Sequence, residues 1–367
     1  MNNFKNIIST LEARWFMSSM ATGALGVLWA KMAFFLQMPW MTSVGIGFIG
    51  IAFLSFIFAS IGYGFRLAYF YPLVKKDFFQ PDTSKFFAGI SISLGVLSTA
   101  TTTVLVPQGV LAFPVGQWLA GILYVFAMVL GIFFLLGVCS TMIQSAENKI
   151  EQAIGICLLP PVGLFVSMFA GNFWAQKFFA GTPLASGMGM FHFFLFTLLV
   201  LLTGWILTFV IFRLRFHPLP RKEMAPSFVI LLAPAGVSII ALVSLLPLLL
   251  PTLPYQAILK TFGFLFLPTM ISFGVFWFLL ILKVMHGYLR TEGIPYTLGF
   301  WALVFPMSAF GISFFVASQF LPGLSVLGWF GIVWGILATL LWILVFLKTF
   351  QAIWTRKAFV RPPCLKH

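Results

Sequence analysis

The stretch 119–136, LAGILYVFAMVLGIFFLL, decides the fold class of this chain. It carries no charge and a single polar group, the Tyr124 hydroxyl, over a length that crosses bilayer hydrocarbon as a helix. Residues 44–58, 193–212 and 327–346 are also free of charge, and their flanks extend several of them to spanning length. In hydrocarbon every backbone donor and acceptor needs a partner inside the protein, which leaves helices or closed barrels. Barrel strands alternate apolar and polar residues; these runs show no such alternation, so they are helices. The whole chain agrees. Of 367 residues, 61% are hydrophobic and 8% charged, against about 25% charged in a soluble domain.

Breaks at charged or Pro/Gly-rich stretches predict ten helices, near 15–37, 44–71, 86–106, 112–142, 153–173, 186–213, 226–250, 259–285, 296–321 and 326–348. The organisation expected is a tail over 1–14, a ten-helix transmembrane domain over 15–348 and a tail over 349–367. The first apolar run continues into a full span without a cleavage site, so it reads as a span and not a signal peptide. Residues 4–11 suit either a short interfacial helix or a frayed tail. Cys139, Cys157 and Cys364 have no ligand spacing, so neither a disulfide nor a metal centre is expected.

Charge sets the sidedness. With ten spans, all of the 21 basic residues except Lys31, Lys177 and Lys260 fall on the side of the N-terminus. The positive-inside rule places that side, with both termini, in the cytoplasm, and a bacterial inner membrane is the expected location. Glu12, Asp77, Asp82, Glu147, Glu151, Glu223 and Glu292 are the seven acidic residues, and every one falls on the same side. Proton- and sodium-coupled carriers place a carboxylate at mid-membrane, where it titrates or binds the cation; this chain has none there. Much of the net charge of +14 is anchoring to anionic lipid. The acid-free spans point beyond that, to a pathway for anions.

The odd-numbered helices begin near 15, 86, 153, 226 and 296, a fivefold repeat of roughly seventy residues. They are small and polar, whereas the even ones are rich in Phe, Leu, Ile and Trp. Helical spacing puts Ser91, Gly95, Ser98 and Thr102 on one face of the third helix. Ser19, Thr22, Gly23 and Gly26 share a face in the first. Pro160, Gly163, Ser167 and Gly171 line up in the fifth, and Pro234, Ser238 and Ala241 in the seventh, while the ninth carries Pro306 and Ser308. Prolines within the fifth, seventh and ninth helices are expected to bend them. Small residues also serve close helix packing in membranes, so each face has two readings. The alternation across all ten favours five hairpins, with odd helices as an inner pore ring and even helices as an outer ring. Hydroxyls and apolar groups along such a lumen would bind an ion weakly, as conduction requires. Lys31 and Lys260, on the outer side, would either draw anions to a mouth or snorkel to headgroups.

Trp15-Phe16 followed by Met20-Ala21-Thr22-Gly23, Leu232-Ala233-Pro234, and Trp301-Ala302-Leu303-Val304-Phe305-Pro306-Met307 together resemble the tellurite-resistance/dicarboxylate transporter family. That family includes bacterial tellurite-resistance proteins, fungal malate permeases, yeast sulfite efflux pumps and plant guard-cell slow anion channels. The resemblance extends over essentially the whole chain. It implies five hairpins around a central pore, a homotrimer with one pore per subunit, and a Phe of the ninth helix plugging the pore, here Phe305. In a chain with 47 Phe, this residue would otherwise read as packing.

His192 suits either a pH sensor or a hydrogen-bonded helix-end residue. Trp15, Trp40, Trp174 and Trp354 read as interfacial anchors. The scattered acids offer no catalytic pairing and the membrane-flanking basic residues no nucleic-acid module, so neither an enzyme nor a nucleic-acid binder is expected. No cofactor is expected either. The function expected is an anion channel for small inorganic or organic anions, gated at Phe305. The alternative is a carrier or exporter of sulfite, tellurite or a C4-dicarboxylate such as malate.

Overall fold

The structure is a computed structural model that describes residues 2–144, 150–250, 256–291, 293–321 and 323–355. Among these residues there is no strand. Ten helices are long and apolar enough to cross a membrane. Spans 1 to 5 are Ala13–Leu36, Pro39–Tyr69, Lys85–Leu105, Phe113–Thr141 and Gly155–Phe178. Spans 6 to 10 are Pro183–Phe216, Lys222–Leu249, Gln256–Thr291, Leu298–Phe320 and Val326–Trp354. The protein is a multi-pass integral membrane protein. Its eighth and tenth spans run one to two turns past the ends read from sequence, because charged Lys283, Arg290 and Lys348 continue the helix. Residues 2–10 are helical and pack on span 2.

The fivefold repeat is visible in how the spans begin. Each odd span opens with a short 3-10 turn: Ala13–Trp15, Lys85–Phe87, Gly155–Leu158, Lys222–Met224 and Leu298–Phe300. Spans 2 and 6 instead start on Pro39 and Pro183, where the missing N–H has no helical partner to lose. Pro160, Pro161 and Pro234 lie in the first turn of their α-helical segments. This corrects the expectation that they bend helix interiors: at the first turn no ladder bond is broken. The interior prolines are Pro247, Pro268 and Pro306. Span 3 ends in a π-turn, Thr101–Leu105, closed by Val106 N–H donating to the Thr101 carbonyl at 3.0 Å.

Burial alternates strictly along the chain. In the most apolar window of each odd span 67–94% of the residues are buried, against 17–39% in the even ones. Span 1 packs on span 3, 3 on 5, 5 on 7, 7 on 9, and 9 returns to span 1. Each odd span also packs on the even span that follows it. The even spans expose row upon row of Phe, Leu, Ile and Trp, among them Phe58, Phe126, Leu201, Phe276 and Leu340. That is far more contiguous apolar surface than water tolerates, and it fits acyl chains.

Two places hold the packing most tightly. A Cβ at Gly26 would meet the Gly45 carbonyl at 2.7 Å, and one at Gly45 would meet the Gly26 carbonyl at 2.7 Å, so spans 1 and 2 touch backbone to backbone. At Gly155, entering span 5, a Cβ would lie 1.8 Å from the Ser227 carbonyl of span 7. Apart from Lys31, Lys177 and Lys260, the charged side chains of the described residues lie at the end at which the odd spans begin, called here the basic end. There the buried Arg66 guanidinium meets the Asp77 carboxylate at 2.5 Å and ties span 2 to the helix Tyr71–Phe79. Lys85 donates to the Gln152 carbonyl at 3.2 Å. Glu12, Asp77, Glu151 and Glu223 all sit at or beyond the ends of spans at this end; Asp82's side chain, Glu147 and Glu292 lie outside the described residues.

Gly155→Ala is expected to destabilise the protein by about 1–3 kcal/mol or more, because the backbone of span 7 cannot yield as a side chain can. Gly47→Ala, with nothing within 4 Å of its Cβ position, serves as the control in thermal melts of purified protein.

Candidate functional site

Two cavities are walled by all five odd spans, and a third opens beside spans 1, 2, 3 and 9. At the basic end a vestibule of about 660 Å³ is walled by the entries of all five, including Arg14, Phe86, Ile154, Ser227 and Thr297. Arg213, Arg221, Glu151 and Glu223 also line it. At the opposite end a vestibule of about 830 Å³ is lined by Lys31, Gln37, Thr42, Thr103, Gln108 and Gln319, with no carboxylate. Between them lies a central cavity of about 30 Å³, close to the volume of one water. Its walls come from every odd span: Ala24, Val27 and Lys31; Val96, Thr99 and Thr103; Phe169 and Phe173; Ile240; Phe305, Ala309, Ile312 and Val316.

Phe305 holds a particular position in this row. Ala302, one turn before it, lines the basic-end vestibule, while Phe305 itself, 1% exposed, lines the central cavity. Val27, Lys31 and Thr103 are shared by the central cavity and the opposite vestibule. The phenyl ring therefore stands at the narrow part, between the basic-end vestibule and the central cavity. Lys31 is half-buried at the other side of that narrow part.

The small and hydroxylated residues singled out by spacing take other places. The Ser19 hydroxyl donates to the Ala52 carbonyl of span 2 at 2.9 Å, and Ser98 to the Ala120 carbonyl of span 4 at 2.8 Å. Thr22 accepts from the Trp342 indole of span 10 at 2.9 Å. Gly23 lies against Val96 of span 3 and Ala52 of span 2, Gly26 against span 2, Gly95 against Val166 and Ser167, and Gly163 against Ser91. Ser167 and Ser238 donate to carbonyls of their own helices. Pro160, Pro234, Ala241 and Pro306 are packed among helices. Thr102 and Ser308 are buried, and their hydroxyl oxygens have no hydrogen-bond partner among the described residues. None of these is among the residues lining the central cavity. At 100° per residue, Ala24, Val27 and Lys31 occupy roughly the opposite side of span 1 from Ser19, Thr22 and Gly26. The small stripe lets neighbouring helices of both kinds approach, and the bulkier stripe lines the central cavity. Lys260, on the exposed face of span 8, lines none of the three cavities.

The axis is thus lined by residues that spacing did not single out: Thr99, Thr103, Val96, Phe169, Phe173 and Ile240. Thr99 and Thr103 donate their protons to the Gly95 and Thr99 carbonyls, at 2.9 and 2.8 Å. Both hydroxyls are thus turned to their own helix, and the surface that the central cavity presents is apolar. Odd helices all begin at the basic end, so their dipoles put positive ends at that vestibule.

His192 belongs to a separate network. It is fully buried, its Nδ1 lies 2.7 Å from Asn172 Oδ1, and its Nε2 lies 3.0 Å from the Tyr124 hydroxyl. The Asn172 amide donates to Ser244 Oγ at 3.1 Å, and the Gln176 amide donates to the Ser244 carbonyl. Asn172 accepts at Oδ1, so Nδ1 of His192 carries the proton and Nε2 accepts from Tyr124. Of the two sequence readings, the hydrogen-bonded one describes this arrangement. It links spans 4, 5, 6 and 7 away from the axis.

An all-helical membrane protein whose buried spans surround a row of vestibules and a constriction has the build of a membrane transport protein. The chain belongs to the voltage-dependent anion channel family: the family model, SLAC1, matches residues 10–350. This is the family that the Trp15–Gly23 and Trp301–Met307 motifs resemble. Two proteins of Methanocaldococcus jannaschii, each named an uncharacterized transporter, are similar over nearly their whole length. One is 25% identical and covers 96% of both chains; the other is 24% identical and covers 97% of this chain and 98% of its own. The protein is therefore an anion transporter or channel by family, and its family is not one of enzymes.

Asn172→Ala is expected to lower the melting temperature, since it leaves the His192 Nδ1–H without an acceptor and removes the amide donor to Ser244 Oγ, at a cost of about 1 kcal/mol for such a bond in a membrane. Anion flux per folded molecule should not change, because the network lies off the axis; flux assays normalised to folded protein check this.

Proposed function

We propose that the chain is a channel for small anions, which pass from the basic-end vestibule through the constriction at Phe305 to the vestibule at Lys31. The observation that carries this reading is the lining. Lys31 is the one ionisable residue along the central cavity and the opposite vestibule among the described residues, and no carboxylate lines either. An anion entering there meets a cation, hydroxyls and amides, and no repelling charge. An apolar central cavity without ligating groups suits passage better than tight occlusion. The Phe305 ring is the gate, and Pro306, which removes a ladder bond at its shoulder, gives the helix freedom to move it.

Lys31 also lies in the last turns of span 1, where a cation offsets the negative end of the helix dipole. A structural role of that kind predicts lost stability on its removal; a role in the pathway predicts lost flux. Both termini lie in the cytoplasm in this reading, the membrane is a bacterial inner membrane, and three copies assemble with one pore each. A carrier for sulfite, tellurite or a C4-dicarboxylate is the second reading. It is favoured by one observation, a central cavity with room for about one water between two open vestibules, as in a closed alternating-access state.

Phe305→Ala is expected to raise anion current in planar bilayers by about tenfold or more, equivalent to removing about 1.4 kcal/mol of barrier. Unchanged current from a correctly inserted variant removes Phe305 from the gate, and saturating flux without unitary events favours the carrier. Lys31→Gln should reduce anion flux severalfold, most at low ionic strength, where the charge is least screened.

A further inference from the structure

The last turn of span 6 carries Arg213 and Arg215, which a helix turns to nearly opposite sides. Arg215 goes outward, exposed and over the Phe216 ring at 5.4 Å, as an interfacial anchor does. Arg213 goes inward and is 4% exposed, on the wall of the basic-end vestibule. Its Nε donates to the Glu151 carbonyl at 3.2 Å, which fixes the plane of the guanidinium. Its Nη1 is buried and has no hydrogen-bond partner among the described residues. The Glu151 carboxylate attracts it electrostatically without accepting a bond from Nη1. The Glu151 carboxylate is turned to His217, 3.4 Å away, and Arg14 is paired with Glu12. A buried, unpaired guanidinium nitrogen is costly unless something accepts from it.

We infer that Arg213 forms an anion-recognition site in the basic-end vestibule, selective for oxyanions that offer two coplanar oxygens to its fork. The inference rests on the anion pathway proposed above and gives it a substrate class. A guanidinium held at Nε presents its remaining N–H groups as a planar pair, which matches a carboxylate, nitrate or sulfite and gives a spherical halide a single point of contact. The helix entries around the same vestibule add positive potential without competing for that geometry.

Thermal-shift titrations of full-length protein in detergent test this, using nitrate, sulfite and malate with chloride as reference at constant ionic strength. Wild type should be stabilised by at least one of the oxyanions more than by chloride. Arg213→Lys and Arg213→Gln should weaken that binding about tenfold, because a lysine keeps the charge and loses the fork; Arg215→Gln should behave as wild type. If Arg213→Gln melts early without ligand, Arg213→Lys carries the comparison. Equal response to oxyanions and chloride in wild type, or unchanged affinity in Arg213→Lys, overturns the inference. Liposome flux separates it from the reading beneath it: Arg213-dependent binding without anion flux upholds the site and removes the pathway, whereas flux with unaltered oxyanion preference in Arg213→Lys does the reverse.

Discussion

Hydrocarbon leaves no water to satisfy a polar group, and the arrangement of this protein follows from that constraint. The hydroxyls of the odd spans cannot face lipid, so they are spent on neighbouring helices: Ser19 on the Ala52 carbonyl, Ser98 on the Ala120 carbonyl, Ser93 on the Phe16 carbonyl. Each of these bonds needs the two backbones close together, and glycines such as Gly26 and Gly45 allow the approach. Once the small face is used for packing, the opposite face of each odd helix is what remains for the axis. That face is Val, Ile, Phe and Thr, which makes the middle of the molecule narrow and nearly dry.

The same constraint arranges the charge. A carboxylate inside the bilayer would need a partner, and the described ones lie instead at the basic end, where Asp77 has Arg66 and Glu12 has Arg14. What is left near the axis on the far side is a cation, Lys31, on the wall shared by the central cavity and its vestibule. An apolar constriction with a cation on one flank and five helix N-termini on the other is the arrangement on which the proposed anion pathway rests. Membership of the voltage-dependent anion channel family agrees with that electrostatic build.

Much of the fold was legible in the sequence because its signal is one of length and period. Ten long apolar stretches, with nearly all basic residues at alternate turns, set ten spans, and the contrast between polar odd and bulky even helices anticipated which would be buried. The lining was harder to read. Spacing singles out the face bearing Ser19, Thr22 and Gly26, but small residues mark close approach of any two helices, whether across a lumen or between rings. In span 1 that approach is to spans 2, 3 and 10. Val96 and Phe169 carried no local signal, since apolar residues are everywhere in such a chain, and Thr99 was one hydroxyl in a run of them. Phe305, which lines the central cavity, was singled out by its motif and not by spacing. Asn172 and Gln176 could have been noticed as amides in an otherwise apolar span, each needing a buried partner.

The most direct test of the axial pathway is thiol modification in a background with Cys139, Cys157 and Cys364 replaced and the Phe305→Ala opening present. Thr99→Cys, on the axial face, should react with an anionic thiosulfonate faster than with a cationic one, and the reaction should block flux. Ser98→Cys, one residue away and facing span 4, should be inert. Fast modification at position 98 with protection at 99, or a preference for the cationic reagent at 99, would contradict the account.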